Sequence, residues 1–218
     1  GAAHRAHASV HGVAAKFKDR AAGLLLQKEV NYLSRALVQP VHPYVVALGG
    51  AKVSDKIKVI TKLMEVADTL LIGGAMAYTF LLAQGKPVGK SLVEPDFVPM
   101  AKDILSQAAA LKKQFLLPLD HVVADKVEAC SPHQVVAWDQ IPADKVAVDV
   151  GPRTTEKYSS EIAKARMIVW NGPLGVFELE PFHQGTFAIA RAVAANTQAI
   201  SIIGGGESVA AVKKANVS

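Results

Sequence analysis

The chain has only one cysteine, Cys130, so it cannot form an internal disulfide. That scarcity fits a reducing compartment, and a cytoplasmic location is expected. Aromatic residues are also sparse, at 6% of 218 residues, and no Lys/Arg block interleaves with them. Nucleic acid is therefore not an expected partner. Long apolar runs are missing as well. The most apolar stretch, "TLLIGGAMAYTFLLA" (69–83), is interrupted by two glycines. It is shorter than the roughly 20 residues that a bilayer-spanning helix needs. The opening "GAAHRAHASV" lacks the basic flank and apolar stretch of a signal peptide. No membrane partner is expected.

What is present suits a buried core. Half the residues are apolar and 20% are charged, in a chain long enough for one large domain or one domain plus part of another. The formal charge of +5 favours anionic ligands such as phosphates. "AAGLLLQKEVNYLSRAL" (21–37) predicts an amphipathic helix, with Leu25, Val30, Leu33 and Leu37 near helical spacing, ended by the prolines of "VQPVHP". One theme then repeats. "YVVAL" meets Gly49-Gly50, "TLLI" meets Gly73-Gly74, "MIVW" meets "NGPLGVF", and "AISII" meets Gly204-Gly205-Gly206. "FLLPLDHVVA" reads as a strand leaving a helix over about 96–112. Short apolar runs alternating with helices indicate strands buried on both faces. The expected fold class is α/β, a mostly parallel sheet with glycine corners at its carboxyl edge, where ligands bind.

Several motifs point toward chemistry. "GKPVGKS" (85–91) falls short of a P-loop, since Gly85 and Gly89 enclose three residues instead of four and a helix precedes them; it reads as a solvated basic turn. His4, His7 and His11 could share a helical face, but no cysteine or carboxylate stands near to complete a zinc site. In "GGAKVSDK" (49–56), Lys52 and Lys56 can project together from the first turn of a helix as a phosphate site, with Asp55 between them for a metal. A capped surface helix explains the same spacing equally well. In "VWNGPLGVFE" (169–178), Asn-Gly-Pro fixes a turn and Glu178 could meet ribose hydroxyls. No G-x-G-x-x-G opens the first helix, which argues against a dinucleotide-binding dehydrogenase.

Taken together, "AHRAHAS" (3–9), "LGGAKVSDKI" (48–57), "LIGGAMAYTF" (71–80), "VWNGPLGVFE" (169–178) and "SIIGGGES" (201–208) resemble the phosphoglycerate kinases, in order and interval over nearly the whole chain. The resemblance implies a Rossmann-like three-layer parallel sheet with helices on both faces. It implies reversible phosphoryl transfer between 1,3-bisphosphoglycerate and ADP, giving 3-phosphoglycerate and ATP, with Mg2+, in a monomer. By it, residues 1–19 end a substrate domain, 20–39 form the interdomain helix and linker, and 40–218 form the nucleotide domain. That domain would lack the family's closing segment, so the chain is expected to be an incomplete portion, inactive by itself.

The implied roles follow the matching motifs. Arg5 would contact the glycerate phosphate. Gly50, Ala51, Lys52 and Lys56 would serve the nucleotide phosphates, with Lys52, Lys56 and Arg5 catalytic and Lys56 nearest the transferred group. Gly74 and Leu92 would line the adenine pocket. Asn171, Gly172, Pro173, Leu174 and Phe177 would face the nucleotide, and Glu178 the ribose. Gly205, Gly206, Glu207 and Ser208 would position phosphate and magnesium, with Glu207 and Asp55 toward the metal. Three positions depart from the family pattern: Ala75 and Ala147 replace glycines near the adenine pocket, and Glu207 replaces an aspartate. These departures motivate a second reading, a catalytically silent nucleotide-binding module with a structural role.

Overall fold

The computed structural model describes residues 8–217, and the chain falls into two compact units, one ending at Pro40 and the other starting at Val41. In the first unit, helix α1 runs Leu24–Val38. It starts where the Gly23 carbonyl accepts the Gln27 N–H at 3.0 Å. It stops before Pro40, whose ring disfavours helical backbone at the preceding residue. Leu25 and Val30, expected on its apolar stripe, are exposed within this unit.

The second unit contains strands β1 Tyr44–Leu48, β2 Thr69–Ile72, β3 Gln114–Leu116, β4 Asp120–Ala124, β5 His133–Ala137, β6 Val146–Val150, β7 Met167–Asn171 and β8 Ile200–Gly204. Its helices are α2 Ile57–Val66, α3 Met76–Ala83, α4 Val98–Ala110, α5 Pro152–Lys164, α6 Gln184–Ala195 and α7 Gly206–Lys214. Strands β3-β2-β1-β7-β8 form a parallel sheet in that order. Every residue of β1 and β2 is buried, which explains why both read as unbroken apolar runs rather than alternating ones. On one face Val45, Ala47, Ile168 and Trp170 pack with Tyr158 and Ile162 of α5 and Ile189 and Val193 of α6. On the other, Phe80 of α3 meets Phe115 of β3 at 5.2 Å between ring centroids.

The sheet grows outward from β1 in both directions, to β2 and β3 on one side and β7 and β8 on the other. Its switch point lies between β1 and β7, where ligands of such sheets bind at the carboxyl edge.

The expected strand "FLLPLDHVVA" is two strands. β3 joins the parallel sheet and β4 joins a separate antiparallel sheet, β5-β4-β6. Pro118 stands between them and has no N–H to give to a ladder, so the run breaks there. The antiparallel sheet was not expected. β5 is mostly exposed, and its apolar run is short, Val135 to Ala137 after two polar residues.

This second sheet is tied to α5 by Asp120, which is buried. Its carboxylate accepts the Arg153 N–H at 3.0 Å, the Thr154 N–H at 2.8 Å and the Thr154 hydroxyl at 2.6 Å. A carboxylate over the first turn of a helix satisfies open donors and suits the helix dipole. Asp120→Ala is therefore expected to lower stability by about 3 kcal/mol, read from urea unfolding, because it strands these buried donors.

Candidate nucleotide site

The loops at the carboxyl edge are bonded to one another through their backbones. Gly49 N–H donates to the Asn171 carbonyl at 3.0 Å, Gly50 N–H to Pro173 at 3.0 Å and Gly74 N–H to Leu174 at 2.9 Å. Met76 N–H returns to the Gly50 carbonyl at 3.1 Å. Two of these corners need glycine. Gly74 has φ +65°, and a Cβ there would stand 2.5 Å from the Gly50 nitrogen. Gly172 has φ +95°, and a Cβ there would overlap the Gly49 carbonyl. Left-handed backbone and contact at this range exclude side chains.

These corners enclose a cleft of about 210 Å³. Ala75, Tyr78, Ala147, Val148 and Val176 make an apolar wall, while Gly50, Ala51, Glu178 and Glu207 contribute backbone and charge. Tyr78 is buried, and its hydroxyl lies 3.4 Å from the His121 Nδ1. Burial holds His121 down to about 4, so the ring is neutral at physiological pH.

Lys56 stands at the entrance to α2, half-buried, with its ammonium donating to the Asn171 side-chain carbonyl. Its chain passes 3.9 Å from where a Cβ on Gly50 would be. Burial lowers its pKa, and the charges of Glu207 and Asp55 partly offset that. Glu207 sits in the first turn of α7, and its neighbour Ser208 is buried, accepting the Gly172 N–H at 2.7 Å. The helix start, an ammonium and paired backbone corners together make an anion-binding edge.

The sequence model of phosphoglycerate kinase matches residues 1–218. This chain belongs to the phosphoglycerate kinase family. It is 56% identical to the phosphoglycerate kinase of Koribacter versatilis, over all of this chain and 54% of that protein. It is 54% identical to that of Moorella thermoacetica, over all of this chain and 55% of that protein. The chain thus spans about half the length of the curated relatives it matches. The solved phosphoglycerate kinase of Coxiella burnetii superposes with a TM-score of 0.90 at 46% identity, over 99% of this chain and 55% of that one. That of Pyrococcus horikoshii gives 0.82 at 35%, over 98% and 54%.

Of the residues that the phosphoglycerate kinase resemblance marked, Gly50, Ala51, Gly74, Pro173, Leu174, Glu178 and Glu207 line the cleft. Asn171, Gly172 and Ser208 hold its loops, and Gly205, with φ +90°, turns the chain into α7 at Gly206. Leu92 is exposed and Phe177 is buried in the core, and neither lines the cleft. Lys52 and Asp55 are exposed in the loop before α2, since the helix begins only at Ile57. The pairing of Lys52 and Lys56 on a first helical turn is thereby corrected. Arg5 lies outside the described residues. Gly175, Val176, Val148 and Tyr78 also line the cleft. The first two stand inside "NGPLGVF", directly after Pro173 and Leu174, so the motif already contained them.

Asp149 supports this wall from behind. It is buried, accepts the Gly185 N–H at 2.7 Å and the Val150 N–H at 2.9 Å, and leaves no room for a side chain on Gly175. Burial raises its pKa to about 7, against the opposing pull of those two N–H groups. Below about pH 4 the carboxyl is protonated in both folded and unfolded chains, and its contribution to stability is fully present. As pH rises toward 7 the unfolded chain ionises first, and roughly 4 kcal/mol is lost before the folded group follows. A carbon-13 titration of the Asp149 carboxyl should show a midpoint near 7. A midpoint below about 5, close to that of an ordinary carboxyl, would contradict this.

Proposed function

We propose that the chain is the nucleotide-binding portion of a phosphoglycerate kinase, acting with ADP and ATP in reversible phosphoryl transfer with 1,3-bisphosphoglycerate. The observation that carries this is the cleft itself: an apolar wall and a charged mouth at the sheet's switch point, with the half-buried Lys56 beside it. The wall of Ala75, Ala147 and Val176 suits a base, and Glu178 suits ribose hydroxyls. Lys52, Lys56 and the start of α7 suit the phosphates. Arg5 is the proposed contact to the glycerate phosphate. A cytoplasmic monomer is part of the same reading.

Magnesium fits the donors present. Among the described residues no group of three or more His, Cys, Asp or Glu could hold a metal. Glu207 and Asp55 nevertheless both act on Lys56 and offer oxygen donors. Mg2+ is commonly held by one or two carboxylates together with substrate phosphates, not by a dedicated protein cage. When bound it would neutralise charge on the phosphate oxygens. Lys56 would add a fixed positive charge from a site already partly stripped of water, where it acts more strongly. The attacking group is an anion, so no side chain is needed to remove a proton.

Calorimetric titration with ADP and magnesium is expected to give saturable binding. Lys56→Ala should weaken it roughly 10- to 100-fold, the scale of one charge-assisted hydrogen bond. Absence of binding by the folded chain would refute the proposal.

A further inference from the structure

The loop that carries Lys52, Asp55 and Lys56 has few local means of holding its shape. Val53 is buried beneath it, but α2 starts without a side-chain cap. The N-cap position is taken by Lys56, whose side chain offers no acceptor, and Ser54 precedes it. The Ser54 hydroxyl is committed elsewhere. It donates to Glu94 Oε1 at 2.6 Å, and the Ser54 N–H donates to Glu94 Oε2 at 2.9 Å. One carboxylate, 40 positions further along the chain, grips both donors of one loop residue.

Glu94 is itself anchored. Its own N–H donates to the hydroxyl of Thr79 at 3.1 Å, and Thr79 is a buried residue of α3. The same helix carries Tyr78 of the cleft wall. A continuous chain of bonds thus runs from α3 through Glu94 to the lysine loop. Burial pushes the Glu94 pKa up, but hydrogen bonds from Ser54 and Val53, with Lys52 nearby, outweigh it and keep the group ionised at neutral pH.

We infer that Glu94 is a positioning residue for phosphate binding, fixing the loop before α2 against α3 so that Lys56 is held at the cleft mouth in a set geometry. The inference rests on the nucleotide reading above. It separates two parts of one ligand. The apolar wall lies outside the Glu94–Ser54 contact, so the base should be indifferent to Glu94 while the phosphates are not.

The test compares ADP with magnesium against adenosine, by calorimetry, for the parent chain and its variants. Glu94→Ala should weaken ADP about tenfold or more and leave adenosine within about twofold, the cost of losing hydrogen bonds to a charged group. Glu94→Gln keeps one acceptor oxygen and should recover part of the loss. Ser54→Ala, a variant with little risk to folding, should move ADP in the same direction by less. Combining Glu94→Ala with Lys56→Ala should cost no more than Lys56→Ala alone, because Glu94 acts through that lysine. Equal losses for ADP and adenosine would reduce Glu94 to a general structural role and overturn the inference. So would unchanged ADP affinity in Glu94→Ala. Failure of the parent chain to bind either ligand would overturn the nucleotide reading, and the inference with it.

Discussion

The cleft depends on one constraint: three strand ends must come within backbone hydrogen-bonding distance of each other. β1, β2 and β7 are parallel neighbours, so their carboxyl ends emerge side by side. Ordinary loops would diverge there. Instead Gly49, Gly50 and Gly74 bond to the Asn171–Leu174 segment, and the loops close into a rim. A parallel sheet leaves the carbonyls and N–H groups at its edge in need of partners. Here the loops supply partners for one another, and α7 opens beside them without a side-chain cap.

That rim would be unsupported without the antiparallel sheet. Ala147 and Val148 of β6 form part of the apolar wall, and the Val148 carbonyl accepts the Val176 N–H at 2.8 Å. Asp149 follows, buried behind Gly175 and over the start of α6. Asp120 does the equivalent for β4 and α5. Each carboxylate meets the first turn of a helix, so two acids fasten the small sheet to the helices of the large one. Their burial is costly, and the helix-terminal donors offset it.

How far this was legible in the sequence varied with the kind of signal. Doubly buried strands such as "YVVAL" and "TLLI" stand out because nothing polar interrupts them, and their glycine corners mark the carboxyl edge. β5 is hard to read because only Val136 and the adjoining Trp138 pack inward, too short a pattern to mark a strand beside its exposed residues. The break at Pro118 is legible only as a missing donor, a weak signal inside the hydrophobicity that surrounds it. At the site, the motifs led to most of the lining. The cross-links did not follow from them: Glu94 and Ser54 are far apart in sequence, and no local pattern announces that their side chains meet.

The charges around the cleft mouth are nearly balanced by type, with Lys52 and Lys56 near Asp55, Glu94 and Glu207. What sets the local field is where each charge is spent. Glu94 directs both oxygens at Ser54, which absorbs much of its acceptor capacity. Lys56 donates to a neutral amide, Asn171, and so keeps its full charge. Asp55 and Glu207 act on it without removing that charge. A half-buried ammonium is costly to maintain in this setting, and an arriving anion would relieve the cost. Because Asn171 holds Lys56 through a dipole and the charges of Glu207 and Asp55 offset its burial only in part, the lysine can be fixed in place and still favour an anion. Those are the two properties that stabilising a moving phosphoryl group requires.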